Sequence, residues 1–135
     1  MSNVDIRVAF ETRLKAWADS RSPKLKIAYQ NIAFTKPDDG SPFLECFLIP
    51  NTTQNREVSA KQKTFLGMFQ VNVWVLKNKG MREAELIADS LRDLFPVVPK
   101  MGGLSVESPA SVGRPVPDDS GWYILPILVN YRFET

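Results

Sequence analysis

The sequence predicts an α+β fold, with two helices packed on one face of a mainly antiparallel sheet. Residues 3–18 and about 81–94 repeat apolar side chains at the spacing of an amphipathic helix. Residues 65–76 and 122–133 instead place aliphatic or aromatic side chains at every second position, as in a strand. The predicted order of helix, about three strands, helix and two strands is typical of the α+β class, and the chain contains no internal repeat.

The first predicted helix covers residues 3–18. Its apolar side chains lie four, four and three residues apart, which aligns them along one side of the helix: Ile6, Phe10, Leu14 and Trp17. Pro23 follows the segment, and a proline disfavours helical structure in the residue before it. We therefore expect the helix to end at residue 18, just before the DSRSP segment, and to present one apolar stripe.

The next part of the chain predicts short strands joined by a turn. Residues 26–34 contain β-branched and aromatic side chains without clear alternation, and we interpret them as one or two short strands. Pro37 is followed by Asp-Asp-Gly, which marks a chain reversal. Residues 43–49, FLECFLI, are rich in apolar side chains on both faces. We expect a strand that is covered on both sides for most of its length and ends at Pro50.

The central strand and the second helix have the clearest patterns. In residues 65–76, one face carries Phe69, Val71, Val73 and Val75, and the other carries Gln70, Asn72 and Trp74. The predicted helix that follows the KNKG turn ends before Pro96 and aligns Ala84, Ile87, Ala88, Leu91 and Leu94. Both elements are thus expected to be half-buried.

The C-terminal part predicts two more strands around a turn-rich segment. Residues 104–108 are a weak strand, and the proline- and glycine-rich residues 109–121 are expected to form turns. The last strand alternates Tyr123, Leu125, Ile127, Val129 and Tyr131. Because Pro126 has no N–H to donate, we expect an edge segment or a bulge near the middle of this strand.

Composition predicts one ordinary globular domain, residues 1–135, since 44% of the residues are hydrophobic and 24% are charged. The net charge of +2 provides no strong attraction to nucleic acid or to an anionic membrane. No apolar run approaches the roughly 20 residues that span a bilayer, and the N-terminus lacks the pattern of a signal peptide. The expected location is the cytoplasm, without membrane contact.

The sequence contains no catalytic, metal-binding or cofactor-binding constellation, and we do not expect an enzyme. It has no histidine, which removes Ser-His-Asp and Cys-His catalysis and the commonest zinc ligand. Cys46 lies among apolar residues, so a small buried side chain explains it better than a nucleophile. Asp38–Asp39 and Asp118–Asp119 lack the ligand spacing of a calcium loop, and turn chemistry explains both pairs.

Two stretches contain a series of short motifs. In YQNIAFTKPDDGSPFLECFLIP, an Asn-x-x-Phe strand precedes a Pro/Gly turn and a Phe-Leu strand that ends in proline. In GMFQVNVWVLKNKGMREAELIADSLRDLF, a Gly-x-Phe-Gln-Val-x-Val strand precedes a glycine turn and an Ala-x-x-x-Ala-Asp-x-Leu helix. The matching residues are Asn31, Phe34, Phe43, Leu44, Pro50, Gly67, Phe69, Gln70, Val71, Val73, Gly80, Ala84, Ala88, Asp89 and Leu91. In order and spacing, these motifs resemble the phage tail terminator-like family of long-tailed phages and prophages, over residues 3–133.

The resemblance implies a structural virion protein that caps the tail tube, ends its polymerisation and provides the head-joining surface. It implies a homo-oligomeric ring, a hexamer by analogy, whose partners are the major tail tube protein and the head-completion or connector proteins. It implies no cofactor and at most transient contact with DNA. The implied locations are the cytoplasm of the bacterial host during assembly and then the virion tail. The alternatives are a head–tail connector or minor tail protein and, from a different class, a small nucleic-acid-binding module.

Two polar segments are the candidate contact sites. The long connection of residues 51–64 is expected to be mobile in the isolated subunit and to become ordered against a neighbour or the tube; its candidate residues are Asn51, Gln54, Arg56, Glu57, Lys61 and Lys63. Lys77 and Lys79 make the turn after the central strand basic. A tolerated surface excursion and a solvated surface are the alternative interpretations of these segments. Because Phe65 and Trp74 are isolated among aliphatic residues, the aromatic pattern of a single-strand binder is missing.

Overall fold

The computed structural model describes residues 3–22, 24–51, 64–97, 103–118 and 120–134. Within these ranges, two helices and a mostly antiparallel sheet of seven strands confirm the predicted α+β class. In chain order the elements are α1 (Asn3–Ser20), β1 (Lys26–Ala28), β2 (Phe43–Pro50), β3 (Thr64–Leu76), α2 (Arg82–Leu94), β4 (Leu104–Val106), β5 (Ser111–Val112), β6 (Val116–Pro117) and β7 (Trp122–Glu134).

The sheet is organised around the long pair β3 and β7. Its order is β1-β2-β3-β7-β4, with β5 and β6 also pairing with β7. β3 and β7 are antiparallel and keep one register from Thr64↔Glu134 to Leu76↔Trp122. β1 pairs with β2 in parallel, and the other pairs are antiparallel. The two ends of the chain segment 64–134 are therefore paired with each other, on the neighbouring strands β3 and β7.

One face of the sheet is covered by the helices. Because side chains alternate along a strand, every second residue of β2, β3 and β7 lies on this face. Its buried members include Leu44, Cys46, Leu48, Phe69, Val71, Val73, Leu125, Ile127, Val129 and Tyr131. Helix α1 buries Ile6, Phe10, Leu14 and Ala18 against them, and α2 buries Ala84, Ile87, Ala88 and Leu91. Burial of each large aliphatic or aromatic side chain contributes about 1.5–3 kcal/mol.

The predicted stripe of α1 is correct except at its end. Ala18 is fully buried, whereas Trp17 is only partly buried at the margin of the core. Arg21 lies over the Trp17 ring, with its guanidinium carbon 5.1 Å from the ring centroid. The helix runs two residues further than predicted, to Ser20, whose hydroxyl donates to the backbone oxygen of Trp17 (2.7 Å).

Neither of the two described helices packs on the other face of the sheet, which we call the open face. It is formed by Phe43, Glu45, Phe47 and Ile49 of β2, by Leu66, Met68, Gln70, Asn72, Trp74 and Leu76 of β3, and by Trp122, Ile124, Pro126, Leu128, Asn130 and Arg132 of β7. The expectation that β2 is covered on both sides for most of its length is wrong. Phe43 is buried, but Glu45 and Phe47 are only partly buried and Ile49 is 40% exposed.

The C-terminal turn region and Pro126 also differ from expectation. Residues 111–112 and 116–117, predicted as turns, form the short strands β5 and β6 beside β7. Pro126 lies inside β7 without interrupting its register with β3. Its carbonyl accepts a hydrogen bond from the Gly113 N–H (2.8 Å), so its nitrogen also points to the β5–β6 side, where the ladder is interrupted between those strands. The proline is tolerated because no N–H is required there.

In the described ranges, neither helix has the length and apolar character of a membrane span.

Candidate interaction site

A polar network lies in the middle of the open face. One carboxylate oxygen of Glu45, Oε1, accepts hydrogen bonds from Asn72 Nδ2 (3.1 Å) and from Trp74 Nε1 (2.9 Å). Asn72 Oδ1 in turn accepts a hydrogen bond from Gln70 Nε2 (2.8 Å). Asn72 is 8% exposed, so these bonds satisfy a polar side chain that would otherwise be costly to bury. The network holds the Glu45 carboxylate in one position.

Aromatic side chains surround one end of this network. The Phe43 ring stacks on Trp74, with centroids 5.2 Å apart, and meets Trp122 edge-on at 5.2 Å. Phe34 packs against Phe43 at 5.1 Å. Lys36 Nζ lies 4.9 Å from the centroid of the Trp74 ring, within the range of a cation–π contact. The premise that Trp74 is isolated among aliphatic residues is therefore wrong: its neighbours come from distant parts of the chain.

These residues line a groove of about 510 Å³, which we call the aromatic groove. One wall is the segment 28–34, which follows β1; the other is formed by Phe43, Phe47 and Trp74, and Glu45 lies between them. Sequence reasoning missed this site, because the spacing of Phe43, Glu45 and Phe47 shows a shared face but does not identify what lies opposite. The available signal in the sequence was that Phe43 and Phe47 flank Glu45 at alternate positions of one strand.

A second groove, of about 710 Å³, lies near the other end of β3. It is lined by apolar and polar residues of the β2 end, the β3 start and β7: Ile49, Pro50, Leu66, Met68, Asn130 and Tyr131 among them. Gly67 belongs to this region, and the Tyr131 hydroxyl occupies the space that a side chain there would need, 2.5 Å from the position of a Cβ atom. Burial raises the pKa of Tyr131. The glycine of the strand motif thus makes room for an aromatic core residue.

The β1 edge of the sheet is blunted against further strands. β1 is three residues long, and beyond it the Leu48 N–H donates to the side-chain oxygen of Gln30 (3.0 Å) rather than remaining free. Pro50, two residues on, has no N–H to offer at the same edge. On the other side, β4, β5 and β6 are two or three residues long. Such short or blocked edges disfavour the addition of a strand from another chain.

The predicted contact loop lies mostly outside the described residues, which exclude Gln54, Arg56, Glu57, Lys61 and Lys63. Asn51 is described: it follows β2, is exposed, and its N–H donates to the Leu66 oxygen (2.8 Å). The loop therefore connects the ends of a paired β2–β3 hairpin. Its role in contact with a partner stays a prediction.

The predicted basic turn lies at the opposite end of β3. Lys79 is exposed, whereas Lys77 is partly buried and its N–H donates to the Gly121 oxygen (3.0 Å). Twelve residue steps of about 3.3 Å along β3 separate this turn from the start of the strand by about 40 Å. The basic turn thus lies at the opposite end of β3 from Thr64, the first described residue after the contact loop. Hydrogen bonds from Ser120 lower the pKa of Asp118, and the charges of Lys36 and Lys77 lower it further.

The aspartates of the two turns bind their own chain. Asp39 Oδ1 accepts hydrogen bonds from the Ser41 hydroxyl (2.6 Å) and N–H (3.0 Å), which lower the pKa of Asp39. Asp118 accepts the corresponding bonds from Ser120. Among the described residues, no group of three or more His, Cys, Asp or Glu side chains could hold a metal ion. These carboxylates stabilise turns by ordinary side-chain to backbone bonding.

Cys46 is completely buried in the core under the helices. Burial raises the pKa of its thiol to about 12, so the reactive thiolate is scarce near neutral pH. Cys46→Ala is expected to lower the free energy of unfolding by about 1 kcal/mol, because the substitution removes little volume. Urea denaturation at pH 7 measures this difference. A loss above about 3 kcal/mol would contradict a simple packing role.

The raised pKa of the Cys46 thiol makes the free energy of unfolding depend on pH. The unfolded chain releases this proton above the ordinary pKa of 9.0, whereas the native chain retains it up to about 12. Between these values native stability falls with rising pH, by about 1.4 kcal/mol at pH 10. The alanine variant lacks this effect, so the two unfolding free energies are expected to converge near pH 10. The raised pKa of Tyr131 affects both proteins equally. Burial is the larger cause of the raised pKa of Tyr29, and the charge of Cys46 is the second, so that smaller part is absent from the alanine variant. A gap that stays constant from pH 7.5 to pH 10 would show that the thiol ionises normally.

Comparison with known proteins identifies relatives over nearly the whole chain. The model of a family described as phage tail terminator protein matches residues 5–131. Among nine chains of solved structures that match, one is 38% identical in sequence with a TM-score of 0.80, and the alignment covers 98% of this chain and 96% of that chain. No curated protein matches.

Proposed function

The chain belongs to the phage tail terminator protein family, and from this membership we propose that it caps the tail tube as a closed ring. In that position it ends polymerisation of the tube and provides the surface to which the head joins. The family is structural rather than catalytic, and its members are components of the virion tail. We place the protein in the cytoplasm of the bacterial host during assembly and in the tail afterwards.

The open face is the observation that supports assembly with other subunits. It exposes part of Phe47, Ile49, Met68 and Leu128 on a surface that neither described helix covers. Contiguous exposed apolar surface is typical of a contact with another protein. Because both edges of the sheet end in short or blocked strands, we propose that subunits meet through faces and loops rather than by adding strands. A head-to-tail contact that closes on itself then produces a ring, a hexamer by family resemblance.

The length of β3 suggests how one subunit could contact the tail tube at one end and the head-completion proteins at the other. The contact loop, with Arg56, Lys61 and Lys63, connects to one end of this strand, and Lys77 and Lys79 lie about 40 Å away at the other. We propose that one end meets the major tail tube protein and the opposite end meets the head-completion or connector proteins. DNA that passes through the ring would contact it only transiently. No cofactor is needed for this role.

Deletion of the gene is expected to produce tails longer than normal that fail to join heads. Electron microscopy of particles from the deletion phage measures both properties, and complementation with the intact gene is the control. Tails of normal length that remain separate from heads would contradict the terminator role and indicate a connector. Density for a single copy at the end of the tail would contradict the ring.

A further inference from the structure

Among the described residues, the Glu45 carboxylate has no ion-pair partner. Its oxygen Oε1 accepts two hydrogen bonds from neutral donors, Asn72 and Trp74. No described residue donates to Oε2, and no described lysine or arginine lies within ion-pair distance of Glu45. Glu45 is nevertheless partly buried among aromatic rings. Partly buried charges are usually paired, because loss of hydration is costly.

The walls of the aromatic groove fit a guanidinium group. Phe47 lies two residues from Glu45 on the same face of β2, and its ring lines the groove beside the carboxylate. A planar guanidinium can stack on an aromatic ring while it donates to a carboxylate, which an ammonium group does less well. Lys36 does not occupy this position, because its Nζ lies over Trp74 and donates to Ser120 Oγ (2.9 Å). The groove, of about 510 Å³, has room for one inserted side chain.

An arginine without an ion-pair partner among the described residues lies at the opposite edge of the sheet from β1. Arg114 is exposed in the segment between β5 and β6. Its position is held on both sides: the Gly113 N–H donates to the Pro126 oxygen (2.8 Å), and Pro115 restricts the backbone that follows. From β1, beside the aromatic groove, to β5 and β6 there are four strand spacings, about 19 Å. A single chain therefore presents the groove near one edge and the arginine at the other.

We propose that Arg114 of one copy enters the aromatic groove of the next copy and pairs there with Glu45. This inference rests on the proposed ring, because a closed head-to-tail contact joins two different surfaces of the same chain. The pairing supplies an ion-pair partner for Glu45 and gives the ring a defined direction. Because the flanking residues are already fixed, binding has to order only the arginine side chain and not its backbone.

A double-mutant cycle tests the pairing. Glu45→Gln retains Oε1 as an acceptor for Asn72 and Trp74 but removes the charge, and Arg114→Gln changes an exposed residue. Each single variant is expected to weaken subunit association about tenfold, measured by mass photometry across a dilution series. The double variant is expected to be no weaker than either single one, because the interaction can be lost only once. Glu83→Gln and Arg82→Gln, exposed residues of α2, are the matched controls and should associate as the unchanged protein does.

Tail length in the complemented deletion phage is the second readout, and it applies even if rings form only at the tube end. Both single variants are expected to yield overlong tails while keeping the thermal midpoint of the unchanged protein. The proposal is overturned if the effects of the two substitutions add, or if Arg114→Gln matches the Arg82→Gln control. If only Glu45→Gln weakens association and lengthens tails, the groove binds a different protein, and the proposal is overturned in that case too. If the gene deletion itself leaves tail length normal, the proposed function has failed, which is a separate result.

Discussion

Replacement of Phe10 by alanine is expected to lower the free energy of unfolding by about 3–5 kcal/mol. Phe10 stacks on Phe69 with ring centroids 4.6 Å apart and meets Phe95 at 5.6 Å and Tyr131 at 5.7 Å. The four rings belong to α1, β3, the end of α2 and β7, so the substitution leaves a cavity where both helices meet the sheet. A domain of this size has a total stability of about 5–15 kcal/mol, so much of it would be lost.

Urea denaturation followed by circular dichroism measures this loss. Val8→Ala on the same helix is the matched control, because Val8 is 56% exposed, and its effect is expected to stay within about 0.5 kcal/mol. Phe10→Leu retains most of the volume and should cost about 1.5 kcal/mol. Equal stability losses for Phe10→Ala and Val8→Ala would show that the aromatic cluster does not hold α1 to the sheet.

Replacement of residues 52–62 by a short Gly/Ser turn is expected to abolish tail termination or head joining while the fold persists. The hairpin that the loop closes is paired from Phe43↔Trp74 to Pro50↔Gly67, and the core residues of β2 and β3 stay in place. Closure entropy changes little with loop length, so the thermal midpoint should shift by only a few degrees. The functional loss is expected because Arg56, Lys61 and Lys63 are removed, which we propose contact an acidic surface or phosphates in the tail lumen.

A charge-only variant separates loop length from loop chemistry. Changing Arg56, Lys61 and Lys63 together to glutamine should reproduce most of the defect in tails examined by electron microscopy. The control changes three cations elsewhere, Lys24, Arg82 and Arg92, to glutamine. Normal-length tails joined to heads in phage that carry the shortened loop would show that the loop is dispensable.

The main elements of the fold could be predicted, because their signals are local. The spacing of Ile6, Phe10 and Leu14 predicts which side of α1 is buried, and the structure confirms this. The alternation in residues 65–76 likewise predicts the buried face of β3. The sequence predicted turns where β5 and β6 form. These strands are two residues long, and they form because β7 is there to pair with them.

The aromatic groove could not be predicted, because its parts come from distant positions. Glu45 and Trp74 are 29 residues apart, and Lys36 and Ser120 are 84 residues apart, yet each pair is joined by a hydrogen bond. The sequence shows that Trp74 occupies the polar face of its strand. It does not show that Phe43 is opposite Trp74, since that depends on the register between β2 and β3.

The sequence by itself determined the two helices, the long strands, the buried position of Cys46 and the resemblance to the tail terminator family. Each of these depends on residue types and on periodicities of two to four residues, which neighbouring residues set. Only the tertiary structure decided that β1 lies parallel to β2, that β3 and β7 form the centre of the sheet, and that Glu45 lies among aromatic rings without an ion-pair partner among the described residues. These features depend on strand order and register, which are selected by the packing of the whole core rather than by any short segment.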